Sequence, residues 1–216
     1  MYRESTTGLW CREDTLDEYV IKEQRCYDPL FQLKLMKGNV VLDIGANIGA
    51  FAYRALKAGA SQVICFEPDP DNIEVFNKQK LENVKLVKGA ISQNKGTAQL
   101  YRNGGKNKGM HSLQKINGRE TVTVKTYPFI GAIERYSPDL IKIDIEGGEF
   151  EFDLSHIPEG VKGIAIEIHL NHKGNRELAV DLINQLKKQF PNVLKDPHIT
   201  DKNWTTLFIG TRRGVK

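Results

Sequence analysis

One stretch limits what this chain can fold into more than any other: Val40-Val41-Leu42-Asp43-Ile44-Gly45-Ala46-Asn47-Ile48-Gly49. Its apolar run reads as a β-strand buried on both faces, interrupted only by Asp43 near the C-terminal end. Gly45 and Gly49 bracket a tight turn, and residues 50–58 form a helix-prone run closed by Gly59. Strand, glycine loop and helix in that order open a doubly wound α/β sheet, with a nucleotide resting on the helix N-terminus.

Charge and size say which nucleotide. A dinucleotide fingerprint laid from Gly45 requires glycine at position 47, where backbone approaches a pyrophosphate; this chain has Asn47, which disfavours a nicotinamide oxidoreductase. Asp43 beside the cradle repels phosphate and suits a cation. A ligand with a cationic amino-acid end and a ribose end fits, and S-adenosyl-L-methionine (SAM) is such a molecule. Glu67, closing the next strand, is placed to accept the ribose hydroxyls.

Three blocks, Asp43-Ile44-Gly45-Ala46-Asn47-Ile48-Gly49, then Phe66-Glu67-Pro68, then Ile141-Lys142-Ile143-Asp144-Ile145-Glu146-Gly147-Gly148-Glu149, occur in this order. Together they resemble the signature of FkbM-type methyltransferases, and the resemblance covers residues 14–212. Two positions depart from the family pattern: Gly148 replaces a commoner alanine, and Gly89 stands where asparagine is expected before Ala90. The resemblance implies a Rossmann-like class I fold, α/β and doubly wound, with a mostly parallel seven-stranded sheet and a terminal antiparallel hairpin. It places the cofactor on Asp43, Gly45, Ala46, Asn47, Gly49, Glu67, Pro68, Gly89 and Ala90, with the adenine by Gly89-Ala90. It implies methyl transfer to a hydroxyl of a small molecule or carbohydrate.

With 216 residues, 40% hydrophobic and 27% charged, the chain is sized for one soluble domain, residues 38–216, behind a helical lead-in over residues 1–37. A net charge of +4 is too mild for a nucleic-acid-binding face. No apolar run is long enough to span a bilayer. Three cysteines without paired or metal-ligand spacing point to a reducing, cytoplasmic setting.

Along the chain, residues 14–25 read as a helix capped by Asp14, with Leu16, Tyr19 and Val20 on its apolar side and Pro29 beyond its end. Residues 102–111, rich in glycine and asparagine, read as a lid whose Lys106 and Lys108 face an anionic acceptor, with His111 and Ser112 at its end. Leu178, Leu182, Leu186 and Phe190 mark the core stripe of a helix over residues 175–190. His156, His172 and His198 fall in loops and are assigned no role.

Ligands bind beyond the carboxyl ends of the strands in such sheets, which selects Asp144, Glu146 and His169 as catalytic candidates. Lys142, Asp144 and Glu146 share one strand face, and Glu167 and His169 share another. A neighbouring pairing that sets Lys142 against Glu167 also sets Asp144 against His169, giving a buried ion pair below and an acid-oriented general base above. Glu149 lies at a helix start, where acids are favoured by the dipole alone. Asp144, Glu146, Glu149 and His169 have metal-ligating chemistry, but no spacing demands a metal and none is assigned. Two alternatives remain. The first is an N-methyltransferase on nucleic acid, although the Asp/Asn-Pro-Pro-aromatic tetrapeptide is absent after the fourth strand. The second is a non-catalytic SAM-binding partner subunit.

Overall fold

The computed structural model describes residues 1–32, 36–151, 153–170, 175–200 and 204–215, so His172 lies outside the described residues. A small ribbon, β1 (Tyr2–Arg3) and β2 (Trp10–Cys11), leads to helix α1 (Asp17–Glu23), a 3-10 turn at Gln24–Tyr27 and helix α2 (Asp28–Gln32). Then come β3 (Val40–Ile44), α3 (Ala50–Lys57), β4 (Gln62–Glu67), α4 (Pro70–Gln79) and β5 (Val84–Lys88). A separate three-stranded sheet holds β6 (Ala90–Ser92), β7 (Gly96–Arg102) and β8 (Glu120–Pro128). The chain closes with α5 (Phe129–Tyr136), β9 (Leu140–Ile143), β10 (Gly163–His169), α6 (Asn175–Gln189), β11 (Asn192–Lys195) and β12 (Thr205–Thr211).

The main sheet has seven strands in the order β11-β12-β10-β9-β3-β4-β5, parallel except for β12, which runs antiparallel to both of its neighbours. This is the doubly wound sheet with a closing hairpin that the strand pattern predicts. β3 is central because its side chains are apolar on both faces. Leu42 and Ile44 pack with Ile64, Phe66, Ile141 and Ile166 on one side, and Val41 with Val63, Cys65 and Ala165 on the other. Among the described residues no helix is long and apolar enough to cross a membrane.

Four expectations are corrected. Helix α1 begins at Asp17, not Asp14: Asp14 adopts a left-handed φ of 56°, and the Asp17 carboxylate accepts from the Arg12 backbone and guanidinium at 2.9 Å. Its inward residue is Ile21, whereas Tyr19 is 59% exposed and Leu16 40%. Pro29 does not end the helical stretch but sits in the first turn of α2, where its missing N–H is not needed. Leu178 is 52% exposed, while Ala179, Leu182, Ile183, Leu186 and Phe190 are buried. Each four-residue step overshoots a turn of 3.6 residues by about 40°, so three such steps carry Leu178 off the buried stripe.

The fourth correction is one of register. β10 lies beside β9 with Ala165 opposite Lys142 and Ile166 opposite Ile143, two residues away from the pairing that would join Lys142 to Glu167. An even slip keeps every side chain on its face, which is all that strand alternation constrains. β9 also stops at Ile143, so Asp144 and Glu146 stand on the loop beyond it.

Candidate active site

β3 continues toward β4 and β9 toward β10, in opposite directions, so the crevice at the ends of β3 and β9 is the topological switch point of the sheet. The backbones meet closely there. A Cβ on Gly45 would lie 1.8 Å from the Asp144 carbonyl oxygen, and Gly45 holds φ at 81°, so only glycine fits. Asp144 N donates to Ile44 O at 3.0 Å, and the Gly45 and Ala46 amides both donate to Phe66 O at 3.0 Å.

Beneath this junction lies Lys142. Its Nζ is 3.3 Å from Asp43 Oδ1 and 3.5 Å from Asp144 Oδ2, and it donates to Gly45 O at 2.8 Å. Burial opposes its charge, but Asp43 and Asp144 outweigh that and raise its pKa. The buried partner of Lys142 is therefore Asp43 on the neighbouring strand rather than Glu167. Asp43 itself is fully buried below the cavity wall, where it holds Lys142 and accepts from Cys65 Sγ at 3.9 Å.

One wall of a cavity of about 250 Å³ is made by Gly45, Ala46, Asn47, Phe66, Glu67, Pro68, Ala90 and Ile91. Asn47 takes a left-handed φ of 50°, which asparagine tolerates, and its backbone N–H donates to Glu67 Oε2 at 2.7 Å. Glu67 Oε1 accepts from Asp69 N at 2.9 Å and from Asn72 Nδ2 at 3.3 Å. Burial dominates these hydrogen bonds and pushes the carboxyl up to about 7. Gly49 and Gly89 do not line the cavity. Gly49 packs against the Phe76 ring, and a Cβ on Gly89 would lie 2.7 Å from Lys125 O and from Tyr127.

Asp144, Glu146 and His169 all line the opposite wall. The His169 side chain is 3% exposed, with Nδ1 3.2 Å from Glu149 Oε1 and Nε2 3.4 Å from Glu146 Oε2 and 3.9 Å from Asp144 Oδ1. The acid that orients it is thus Glu149, which also accepts the His169 amide at 2.6 Å and the Gly147 amide at 2.9 Å. Burial disfavours the imidazolium, but the Glu149 hydrogen bond and the charges of Glu149, Glu146 and Asp144 carry its pKa up to about 10. His169 is therefore cationic at neutral pH, so the neutral general base expected from its position is not its resting state. Burial raises Glu146 to about 7 and Glu167 to about 8.

Further residues complete the site, among them Gln114 and Trp204, which the sequence did not single out. Ser112 Oγ donates to Glu146 O at 2.7 Å and Gln114 Nε2 to Gly147 O at 2.6 Å, fixing the loop that presents the acids. α1 supplies Tyr19, Val20 and Glu23 to the cavity rim and the 3-10 turn supplies Gln24, joined by the exposed Trp204 and the half-buried Glu167. Residues 102–111 pack over the same cavity. Asn107, Gly109, Met110 and His111 line it, Lys108 O accepts from Asn72 Nδ2 at 3.2 Å, and Lys106 and Lys108 are absent from its lining. His111 is neutral, its pKa lowered to about 4 chiefly by burial. The adjacency of Lys142 and Asp43 had a signal in the sequence: each is a lone charge in an apolar strand, and such charges pair.

SAM can be tested against this wall. Asn47 Oδ1 and His111 Nε2 are buried polar atoms at the cavity without a hydrogen-bond partner among the described residues, and Glu67 is a carboxylate beside them. An aminoacyl nucleoside carries donors for Asn47 Oδ1 and Glu67 and acceptors for His111 Nε2, which holds the ring proton because Nδ1 accepts from Asn103 N, while Phe66, Ala90, Ile91, Met110 and Leu113 offer apolar surface to a base. The residues present fit the cofactor.

A family model described as the methyltransferase FkbM domain matches residues 43–190. No curated protein matches the chain significantly. Among solved structures, a methyltransferase FkbM from Methylobacillus flagellatus KT aligns at TM-score 0.48 and 18% identity, over 80% of this chain and 43% of that one. This chain therefore spans less than half the length of that relative. Magnesium protoporphyrin IX methyltransferase from Synechocystis PCC 6803, solved with SAM bound, aligns at TM-score 0.50 and 10% identity over 95% of this chain and 86% of that one. A precorrin-6y C5,15-methyltransferase from Geobacter metallireducens GS-15 aligns at 0.48 and 14%, over 93% and 91%. At these identities the likeness is one of fold.

Proposed function

The chain belongs to the FkbM methyltransferase domain family; from that premise we propose that it is a SAM-dependent methyltransferase and that it methylates a hydroxyl oxygen of a small molecule or carbohydrate. The observation that supports this reading is the presence of both chemistries in one cavity. Asn47, Glu67 and Ala90 stand on one wall, and Asp144, Glu146 and His169 on the other. SAM, when bound, supplies a methyl group activated on a sulfonium.

The chain's own residues do the rest. Gly45, Ala46, Asn47, Glu67, Pro68 and Ala90 hold the cofactor. Asp43 acts through Lys142, which ties down Gly45 O and so shapes the loop. A hydroxyl is a poor nucleophile until its proton leaves, so the acceptor must be held in line with a proton-accepting group beside it. Glu146, with its carboxyl raised to about 7 by burial and held beside the cationic His169, provides that group. Glu23, Glu167, Tyr19 and Trp204 at the rim suit a neutral, hydroxylated acceptor better than an anionic one.

The test is transfer of label from methyl-labelled SAM to a panel of glycosides and small alcohols, with the product bond assigned by mass spectrometry. The expected product is a methyl ether, and Glu146→Gln should lower kcat by about 10²–10⁴-fold with S-adenosylhomocysteine affinity unchanged. Label on nitrogen, or tight SAM binding without turnover on any acceptor, would overturn the oxygen-directed reading.

A further inference from the structure

We infer that Asp144, Glu146 and His169 form a binding site for a divalent first-row metal cation, whose use in catalysis rests on the hydroxyl-methylation reading above. One carboxylate oxygen from each acid and one imidazole nitrogen all lie within 4.8 Å of one another. Donors about 2.1 Å from a shared ion are roughly 3.0 Å apart in an octahedral cis arrangement and roughly 3.4 Å apart in a tetrahedral one. His169 Nε2 stands 3.4 Å from Glu146 and 3.9 Å from Asp144, so the three atoms already surround a point that an ion can occupy.

Nε2 itself is the second observation. It belongs to a side chain that is 3% exposed, it faces the cavity, and it makes no hydrogen bond among the described residues, only the two long contacts just given. The other ring nitrogen is already taken. Glu149, 1% exposed, holds Nδ1 at 3.2 Å, and this outer-carboxylate contact is the one that turns a metal-ligating imidazole toward its ion and raises its basicity.

Charge agrees with the geometry. Glu23, Asp144, Glu146 and Glu167 line this end of the cavity against Lys142 and His169; Lys142 is held by Asp43 and Gly45 and meets Asp144 through Oδ2 at 3.5 Å, which leaves Oδ1 toward His169. Two carboxylates and one imidazole suit manganese, iron or cobalt better than magnesium, which prefers an all-oxygen shell. Binding would displace the proton from Nε2, as metal ligation by imidazole requires. An acceptor hydroxyl on the ion would be acidified and fixed in place.

The experiment is titration of chelator-treated, full-length protein with Mn²⁺, following the free-ion signal by electron paramagnetic resonance. One Mn²⁺ should bind per chain. Glu146→Gln and His169→Ala should each weaken it at least tenfold, and Glu159→Gln on the exposed far surface should leave it unchanged. Asp144→Asn serves as the further ligand variant should His169→Ala fail to keep the wild-type circular dichroism spectrum. Absence of stoichiometric binding, or binding indifferent to all three ligand variants, overturns the site. The two readings separate in the same samples. Methyl transfer by protein that binds no Mn²⁺ removes the metal site alone, whereas Mn²⁺ binding without transfer to any hydroxyl removes the acceptor assignment alone.

Discussion

Glu67 and the acids across the cavity keep buried negative charge in two different ways. On the glycine-loop wall, Glu67 takes two backbone N–H groups and one amide side chain, with no cation in contact among the described residues. On the facing wall, Asp144, Glu146 and Glu149 surround the His169 imidazole, and Asp144 also meets Lys142. Neutral donors stabilise a carboxylate only in part, so burial still pushes Glu67 up to about 7. On the facing wall burial raises Glu146 to about 7 as well, but there Lys142 and His169 stand in contact with the acids. The first wall is therefore a surface for hydrogen-bonding a cofactor, and the second a place where charge can be exchanged with an acceptor or an ion.

The sharpest way to break this contrast is at Lys142, the cation shared by both walls. Lys142→Met leaves Asp43 buried without a partner and releases Gly45 O, and it should cost about 3–5 kcal/mol in chemical denaturation. Adding Asp43→Asn should recover much of that loss. Additive losses in the double variant would show that the two side chains are not coupled. Gly45→Ala comes next: its methyl would overlap the Asp144 carbonyl and strain a positive φ, for roughly 2–4 kcal/mol. Wild-type stability there would mean that the two walls are not in backbone contact.

A smaller effect is expected at Glu67. Glu67→Gln removes a charged acceptor and should weaken S-adenosylhomocysteine binding by about 1.5–3 kcal/mol, tenfold or more, in calorimetry. Because this carboxyl titrates near 7, cofactor affinity of the wild type should fall as pH is lowered through that value, and the slope should flatten in the variant. Stability moves the other way. An acid whose folded pKa is raised above its ordinary 4.5 binds its proton more tightly when folded, so the penalty of ionising it is absent below 4.5 and complete above about 7. Cofactor affinity independent of pH from 6 to 8 would remove Glu67 from the binding surface. The smallest change is Asn72→Ala, which unties both Glu67 Oε1 and the Lys108 carbonyl. It should cost about 1 kcal/mol and quicken proteolysis within residues 102–111; unchanged cleavage there would mean that Asn72 does not anchor the loop.

Local chemistry was legible wherever one segment carries its own instructions. Val40–Ile44 is apolar but for Asp43 and must lie inside a sheet, and Gly45 and Gly49, both at positive φ, mark the turn that follows it. α5 falls at Phe129–Tyr136, as its pattern and the following proline require. Burial was less legible where a regular spacing drifts, as at Leu178, or where a helix faces a cavity instead of a core, as at Tyr19.

By itself the sequence determined the strand–loop–helix cradle, the alternation of the sheet, and which acids stand at the strand ends, because each follows from periodicity and turn chemistry within about ten residues. Only the tertiary structure decided that Lys142 meets Asp43, that Glu149 orients His169, and that Asp144, Glu146 and Nε2 converge. Those pairings depend on the register between strands joined by long crossovers. A two-residue slip there preserves every face and changes every partner.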